Sequence, residues 1–510
     1  GNLGAATSTA TNLVFDGGTL QYTGSTATSD RAFTINAGKT GTIDVPSGVS
    51  LTLAGATGTT TTGALTKTNS GTLNLSGVNT YTGTTTISAG TFAITGSGSL
   101  NSGSYAGSIV NNATFIYSSS ATQTLSGVIS GTGVLTKDTS SSSVLTLSNT
   151  NTYSGITTIS AGTISISADT NLGAVPGSVA ATQLTLSGGI LQTTADLTLA
   201  TNRGITLSTG GGTINVNSST TTIYGGTISG LTTFTKDGAG TFVLTGTKTD
   251  NDGTNPTYVI IKQGRYIVRS NNPVILSQTF TGAGDLVIEP AGTDFSTIPL
   301  DTLNIKLVDV VSGVPNSGLL GTLTVGKSGN TSRINISGAL STVGNQTFYG
   351  PVTLSDAITL TTTSGTVWFT GAVNSNDATP RNLTISGGIL KIDGIVGGTA
   401  ALNNITTTNG GALDLNAAIS GAASLTVAGV SDLGANVTTS GAQTYTGAVT
   451  VSGTGPRTLQ GTTITNSSTL NGGGIALAIT GNSSIGGAIT SVTNFSVSGT
   501  TGIGANVSTT

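Results

Sequence analysis

Along much of this chain, apolar and polar residues alternate in short runs. In LTLSGGIL (Leu184 to Leu191), Leu184 and Leu186 fall on one side of an extended backbone and Thr185 on the other. LVFDGGTL (Leu13 to Leu20) and LTISGGIL (Leu383 to Leu390) repeat the pattern. Period two is the signature of a strand with one buried face. The Gly-Gly pair supplies a turn, because glycine reaches positive φ without steric cost. Strand, turn, strand is one corner of a coil. Helical periodicity is almost absent: runs such as SGTLNLSG and SSVLTLSN are short and rich in Ser and Thr, which compete with the helix backbone for hydrogen bonds.

Longer units recur above this pattern. LTKTNSGTLNLSG (Leu65 to Gly77) runs into GVNTYTGTTTISAGTF (Gly77 to Phe92), and LTKDTSSSSVLTLSN (Leu135 to Asn149) runs in turn into NTNTYSGITTISAGTI (Asn149 to Ile164). A third copy, FTKDGAGTFVLTG (Phe234 to Gly246), resumes as IIKQGRYIV (Ile260 to Val268) after the insertion TKTDNDGTNPTY (Thr247 to Tyr258). A second type, VAGVSDLGANVTT (Val427 to Thr439), returns as VSGTTGIGANVST (Val497 to Thr509), at the offset that separates Leu65 from Leu135. A repeat of about 70 residues with internal sub-repeats predicts a solenoid. At about 20–25 residues per coil, each repeat makes about three coils and the chain roughly 20–25. Strands stacked about 4.8 Å apart then give an elongated rod about 100–120 Å long. The expected fold is an all-β parallel β-helix (β-solenoid), its stability summed over coils and their interfaces. Leu, Ile, Val and Phe, including Ile87 and Phe92, stack inside. Threonines coat the outside, and Gly, Asn and Asp, including Gly83 and Gly90, turn the corners. Three stretches are expected: a β-helix over 1–246, a β-helix with an insertion and concentrated charge over 247–320, and a β-helix of the second repeat type over 321–510.

Composition narrows the chemistry. Charged residues are 7% of the 510, with 16 Lys plus Arg, 19 Asp plus Glu and a net charge of −3, against about 25% in an average soluble protein. The 35% hydrophobic content and only 10 prolines separate the chain from disordered sequences. Scarce charge suits stacked coils, where like charges directly above one another repel. No cysteine and no histidine are present, which removes disulfides, thiolate metal sites, the usual general base and a Ser/His/Asp triad. Glu occurs once, at Glu289. Carboxylates such as Asp16, Asp44, Asp169 and Asp196 are isolated and expected to hydrogen-bond their own turns, whereas a glycosidase needs a pair about 5–10 Å apart. No enzyme activity, metal or cofactor is expected. No 18-residue apolar run exists to span a membrane as a helix, and the net charge without a basic stripe argues against nucleic acid. Position 1 is not Met, and the final repeat stops mid-unit at Thr510, so the chain is expected to be a piece of a longer one.

One segment stands apart. Fourteen of the 35 charged residues lie between Lys236 and Asp309. Tyr258, Lys262, Arg265, Tyr266 and Arg269 form a candidate sugar- or anion-binding patch there. DNDGTNP (Asp250 to Pro256) has a superficial likeness to a calcium loop, but Gly253 comes too early and no twelfth-position Glu follows, so it reads as a turn. Tyr81, Tyr153 and Tyr445 occupy one repeat position and are expected to pack inside the coils. Trp368, in GTVWFTGAV, is expected to fill a wide part of the core.

The pieces LTK, GTLNLSG, NTYTG and TISAGT resemble the autotransporter-associated β-strand repeat of bacterial type V secreted passenger regions. The likeness is close at 65–96, good at 135–166 and partial at 234–268. GAQTYTGAVTV (Gly441 to Val451) and GNQTFYGPVTL (Gly344 to Leu354) resemble repeats of filamentous haemagglutinin-type adhesins. The resemblance implies a right-handed β-helix, export through an outer-membrane β-barrel translocator and display on the bacterial cell surface. The expected role is structural and adhesive: a stalk or extracellular fibre that attaches cells to cells or surfaces, through a glycan or other cell-surface ligand and many weak contacts multiplied by valency. One alternative is a homo-polymer joined end to end through open strand edges, as a filament or a matrix or surface-layer subunit. The other is a glycan-binding or glycan-cleaving β-helix.

Overall fold

The computed structural model describes residues 7–58, 61–139, 141–249, 257–271, 278–295, 300–303, 306–307 and 318–509. These form a parallel β-solenoid of about 22 turns with no α-helix. The chain divides into two compact units, Gly1–Thr257 and Tyr258–Thr510. The stretch DNDGTNP, residues 250–256 of the insertion, lies outside the described residues.

Among the described residues, most strands pair in parallel with their counterparts one coil earlier and one coil later. In the first unit Ala64–Thr68 pairs with Thr85–Ile87, which pairs with Ile109–Asn111. In the second, Thr366–Phe369 pairs with Ile389–Ile392, which pairs with Ala412–Leu415. Coil length varies: the coil that carries Thr157 round to Leu184 is half as long again as the one from Leu413 to Ser431. Parallel pairing satisfies the backbone of one coil only through the next, so coils must approach closely at their corners. There glycine is required. A Cβ on Gly155 would lie 2.0 Å from the carbonyl oxygen of Gly133, and one on Gly83 would lie 2.3 Å from that of Gly63. Gly90 turns its corner at φ +70°.

The alternation places the core as expected. Leu65, Ile87, Phe92 and Phe115 are fully buried, and the Phe92 and Phe115 rings stack with centroids 5.9 Å apart. Tyr81, Tyr153 and Tyr445 are also inside. Threonine departs from its expected place: Thr85 and Thr157 are buried. The hydroxyl of Tyr81 lies 2.9 Å from that of Thr85, and the hydroxyl of Tyr153 lies 2.7 Å from that of Thr157. A buried hydroxyl costs little once another satisfies it, so the four-residue spacing in NTYTGTT and NTYSGIT builds one polar pair inside each copy. The second repeat type carries another. Gln346 and Gln443 are fully buried, and each donates through Nε2 to a carbonyl of the next coil, Thr361 and Gln460, at 2.8 Å.

Asp138, Asp237 and Asp377 accept from backbone amides of their own turns, as expected, but three of the carboxylates named above do not. Asp44 accepts from Thr68 Oγ1 at 3.0 Å, and Asp196 accepts from the Thr221 amide at 2.6 Å. Asp169 grips buried Arg203 through two oxygens, at 3.0 and 3.2 Å. These partners lie about one coil away, because the parallel stack brings neighbouring coils nearer to an outward carboxylate than its own turn.

The repeat unit is not a whole number of coils. From Leu65 the register passes through Thr85, Ile109 and Ile129, three coils on. Leu135, where the second copy starts, lies beyond Ile129 in a different sheet. The three LTK-type strands, Ala64–Thr68, Val134–Lys137 and Phe234–Asp237, consequently stand in three different sheets. Near-identical sequence is turned to a new side of the solenoid at each copy.

Candidate functional site

Each of those strands carries a lysine of its LTK or FTK piece, and Lys236 also opens the charge-rich segment. All three, Lys67, Lys137 and Lys236, are fully buried. Each lies two residues from an inward apolar residue and shares its face. The ammonium of Lys67 donates to the carbonyls of Thr68 and Asn69 at 2.7 Å, and to Ala89 of the next coil at 3.3 Å. Lys137 donates to Asp138 and Thr139 at 3.1 and 2.9 Å, and Lys236 to Asp237 and Gly238 at 2.8 and 2.7 Å. Asn69, Thr139 and Gly238, each two residues after its lysine, have positive φ, and their carbonyls are among those the lysines hold. Burial pushes each amine down to about 8, partly opposed by a neighbouring carboxylate, Asp44, Asp138 or Asp237. These are corner fasteners, closed off from any ligand.

The expected patch is divided between core and surface. In Arg265–Arg269 the first and last residues point outward and Tyr266 inward. Tyr266 is fully buried, its ring 6.4 Å from that of Phe280, and it offers nothing to a ligand. Arg269 Nε lies 2.6 Å from Glu289. The strand Asp285–Glu289 stacks in register on Arg265–Arg269, so Asp285 stands beside Arg265 and Glu289 beside Arg269. The charge enrichment here is partly a complementary ladder between coils. Arg265 is exposed, while Tyr258 and Lys262 are half-buried.

A different arrangement stands on the outer face of the second unit. Trp368 is flanked in its strand by buried Val367 and Phe369 and points outward, so it does not fill the core. The reason is legible in TVWF: Val and Phe take the inward phase, leaving Trp the position that Thr holds in other coils. Through register, Thr324, Thr347, Trp368, Lys391, Asp414, Asp432 and Thr450 form one outward column. Trp368 Nε1 donates to Asp393 Oδ2 at 2.6 Å, and the Lys391 ammonium sits 5.2 Å from the ring centroid, within cation–π range. Lys391 also lies 3.7 Å from Asp414. Asn416 donates to Asp393 at 2.9 Å and to Asp414 at 3.1 Å. The Tyr349 ring packs edge-on to Trp368, centroids 5.9 Å apart. On the preceding strand of each coil runs a plainer column, Thr359, Thr384, Thr406, Thr426, Thr444, Thr465 and Ser484, a ladder of hydroxyls over seven coils.

Residues 65–94, 140–166 and 234–255 match the family model of the passenger-associated-transport-repeat. Over 383 residues, 68% of this chain, the sequence is 32% identical to the adhesin BmaC autotransporter of Brucella suis biovar 1 (strain 1330). That stretch is 10% of the relative, so the chain spans about a tenth of its length. No solved structure matches the chain.

Proposed function

From a chain that carries autotransporter passenger repeats on a parallel β-solenoid, and so is a secreted, cell-surface extracellular segment, we propose that its work is attachment. The solenoid acts as a non-enzymatic adhesive stalk that holds outward columns away from the cell and presents them to another cell or surface. The observation that carries this reading is the pairing of passenger repeats with continuous outward columns, the hydroxyl ladder Thr359 to Ser484 above all. Equivalent groups one coil apart suit repeated weak contacts, whose sum under multivalency exceeds any one of them. Export through an outer-membrane β-barrel translocator belongs to the same proposal, supported by the transport repeats and by the relation to an autotransporter. The test is adhesion of beads coated with the chain to cultured cells, competed by soluble chain. Adherence no greater than that of blank-coated beads overturns the reading. Beads that clump with one another but ignore cells, together with continuous filaments in electron micrographs, replace it with self-assembly.

A further inference from the structure

The outward column at Trp368 breaks the rule that the rest of this face obeys. Thr324 and Thr347 precede it and Thr450 follows, while four successive coils between them carry Trp368, Lys391, Asp414 and Asp432. A solenoid needs no aromatic ring on its outside. The ring is also held firmly: Asp393 takes its Nε1–H, Asn416 bridges Asp393 and Asp414, and Tyr349 supports its edge. Asp432, one coil beyond Asp414, is exposed and has no ion pair among the described residues.

We infer that this column is a binding platform for a neutral glycan, a reading that rests on the adhesive role proposed above and gives it a ligand class. A pyranose ring has an apolar face of C–H bonds and a rim of hydroxyls. The first suits half-buried indole and phenol rings, which gain from excluding water over their apolar surface. The second suits carboxylate and amide groups that accept and donate at fixed positions, as Asp432, Asp414 and Asn416 do. Coils about 4.8 Å apart place these groups at roughly the spacing of one sugar ring, so an oligosaccharide lying along the column meets the aromatic pair first and the carboxylates next. Charge selects among sugars. Lys391 stands against three carboxylates, Asp393, Asp414 and Asp432, leaving the cluster net negative, which disfavours uronic and sialic acids and leaves neutral hexoses and N-acetylhexosamines.

Trp368 is the chain's single tryptophan, so its fluorescence reports on this place alone. The full chain is titrated with neutral tetrasaccharides, one of β-linked glucose and one of N-acetylglucosamine, and with a uronate tetrasaccharide as the charge control. A saturable change in emission with a neutral probe, and none with the uronate, is expected. Trp368→Ala should weaken binding, read by calorimetry, by about tenfold or more, in the range of aromatic anchors elsewhere. Asp432→Asn, at an exposed residue whose loss leaves the fold intact, should weaken it several-fold. No saturable change with either neutral probe overturns the platform. So does binding that survives both substitutions, binding lost on Arg265→Ala instead, or preference for the uronate or for a basic peptide. Bead adhesion separates the two readings: if coated beads adhere to cells equally with Trp368→Ala, the platform falls and the adhesive role stands. If wild-type beads do not adhere at all, the adhesive role falls, and the fluorescence titration judges the platform by itself.

Discussion

Lys137 and Lys391 each sit in a short parallel strand beside branched apolar residues, and they have opposite fates. Lys137, in VLTK, shares the phase of Leu135 and is buried, its ammonium held by two corner carbonyls. Lys391, in ILKI, falls between buried Leu390 and Ile392, lies at the surface, and is taken up by Trp368 and Asp414. One residue of phase decides whether a charge becomes part of the scaffold or part of the face shown to the outside. Burying a lysine is tolerated where a corner with a positive-φ residue turns carbonyls toward it, since hydrogen bonds offset part of the cost of desolvating the ammonium. The outer position demands nothing of the kind, so what stands there is free to serve contact.

That contrast can be broken in several ways. pH is the broadest lever, because three buried lysines titrate together. Their folded values near 8 lie below the unfolded value of about 10.4. Below pH 8 both states hold the proton. Between about 8 and 10 the folded state gives it up first, the unfolded chain binds more protons, and stability rises with pH. Above about pH 10 the order reverses, because burial raises Tyr153 and Tyr224 to about 12, with hydrogen bonds from Thr157 and Ile205 opposing, and unfolding then releases their protons. A denaturation midpoint that climbs from pH 8 to a maximum near 10 is expected; a flat profile there would contradict the buried amines.

Substitution sharpens it further. Lys137→Met removes the donor to the Asp138 and Thr139 carbonyls and should cost about 2–6 kcal/mol, at about 1–3 per stranded group. Lys391→Met should change stability, measured for both variants by urea denaturation, by less than about 0.5 kcal/mol. Equal losses would show that the two positions are not different in kind. Gly155→Ala drives a Cβ to 2.0 Å from the Gly133 carbonyl oxygen and should cost about 1–3 kcal/mol, seen as faster hydrogen exchange in the coils around it. Gly18→Ala, with nothing within 4 Å, should leave exchange unchanged. The smallest effect is expected at threonine. Thr85→Val breaks the hydroxyl contacts to Tyr81 and Tyr105 at a cost of about 1 kcal/mol, while Thr86→Val, on the outward side of the same strand, should be neutral in thermal melts.

Much of this was legible beforehand. Alternation fixed the burial of Ile87, Phe92, Leu184 and Leu186, and the repeats announced a parallel solenoid. The same alternation, followed strictly, also places Lys67 inside with Leu65, Trp368 outside between Val367 and Phe369, and Tyr266 inside next to Arg265. For the last two, residue type suggests otherwise: tryptophan as core, tyrosine beside arginine as a ligand contact. Phase prevailed because in a thin solenoid every strand residue faces either the stacked interior or water, with no third layer in which a large or charged side chain can be accommodated.

Sequence by itself determined the strand period, the glycine corners, the repeat units and their kinship with passenger repeats, because all of these are local or self-similar. It did not determine which coils meet. That Asp44 reaches Thr68 and Arg269 reaches Glu289 depends on coil lengths, which differ as widely as the turn from Leu413 to Ser431 and the turn from Thr157 to Leu184. For the same reason Trp368, Lys391, Asp414 and Asp432 stand in one column, and three copies of one motif face three ways. Small differences in loop length accumulate from coil to coil, and only the stacked register of the parallel backbone converts them into neighbours.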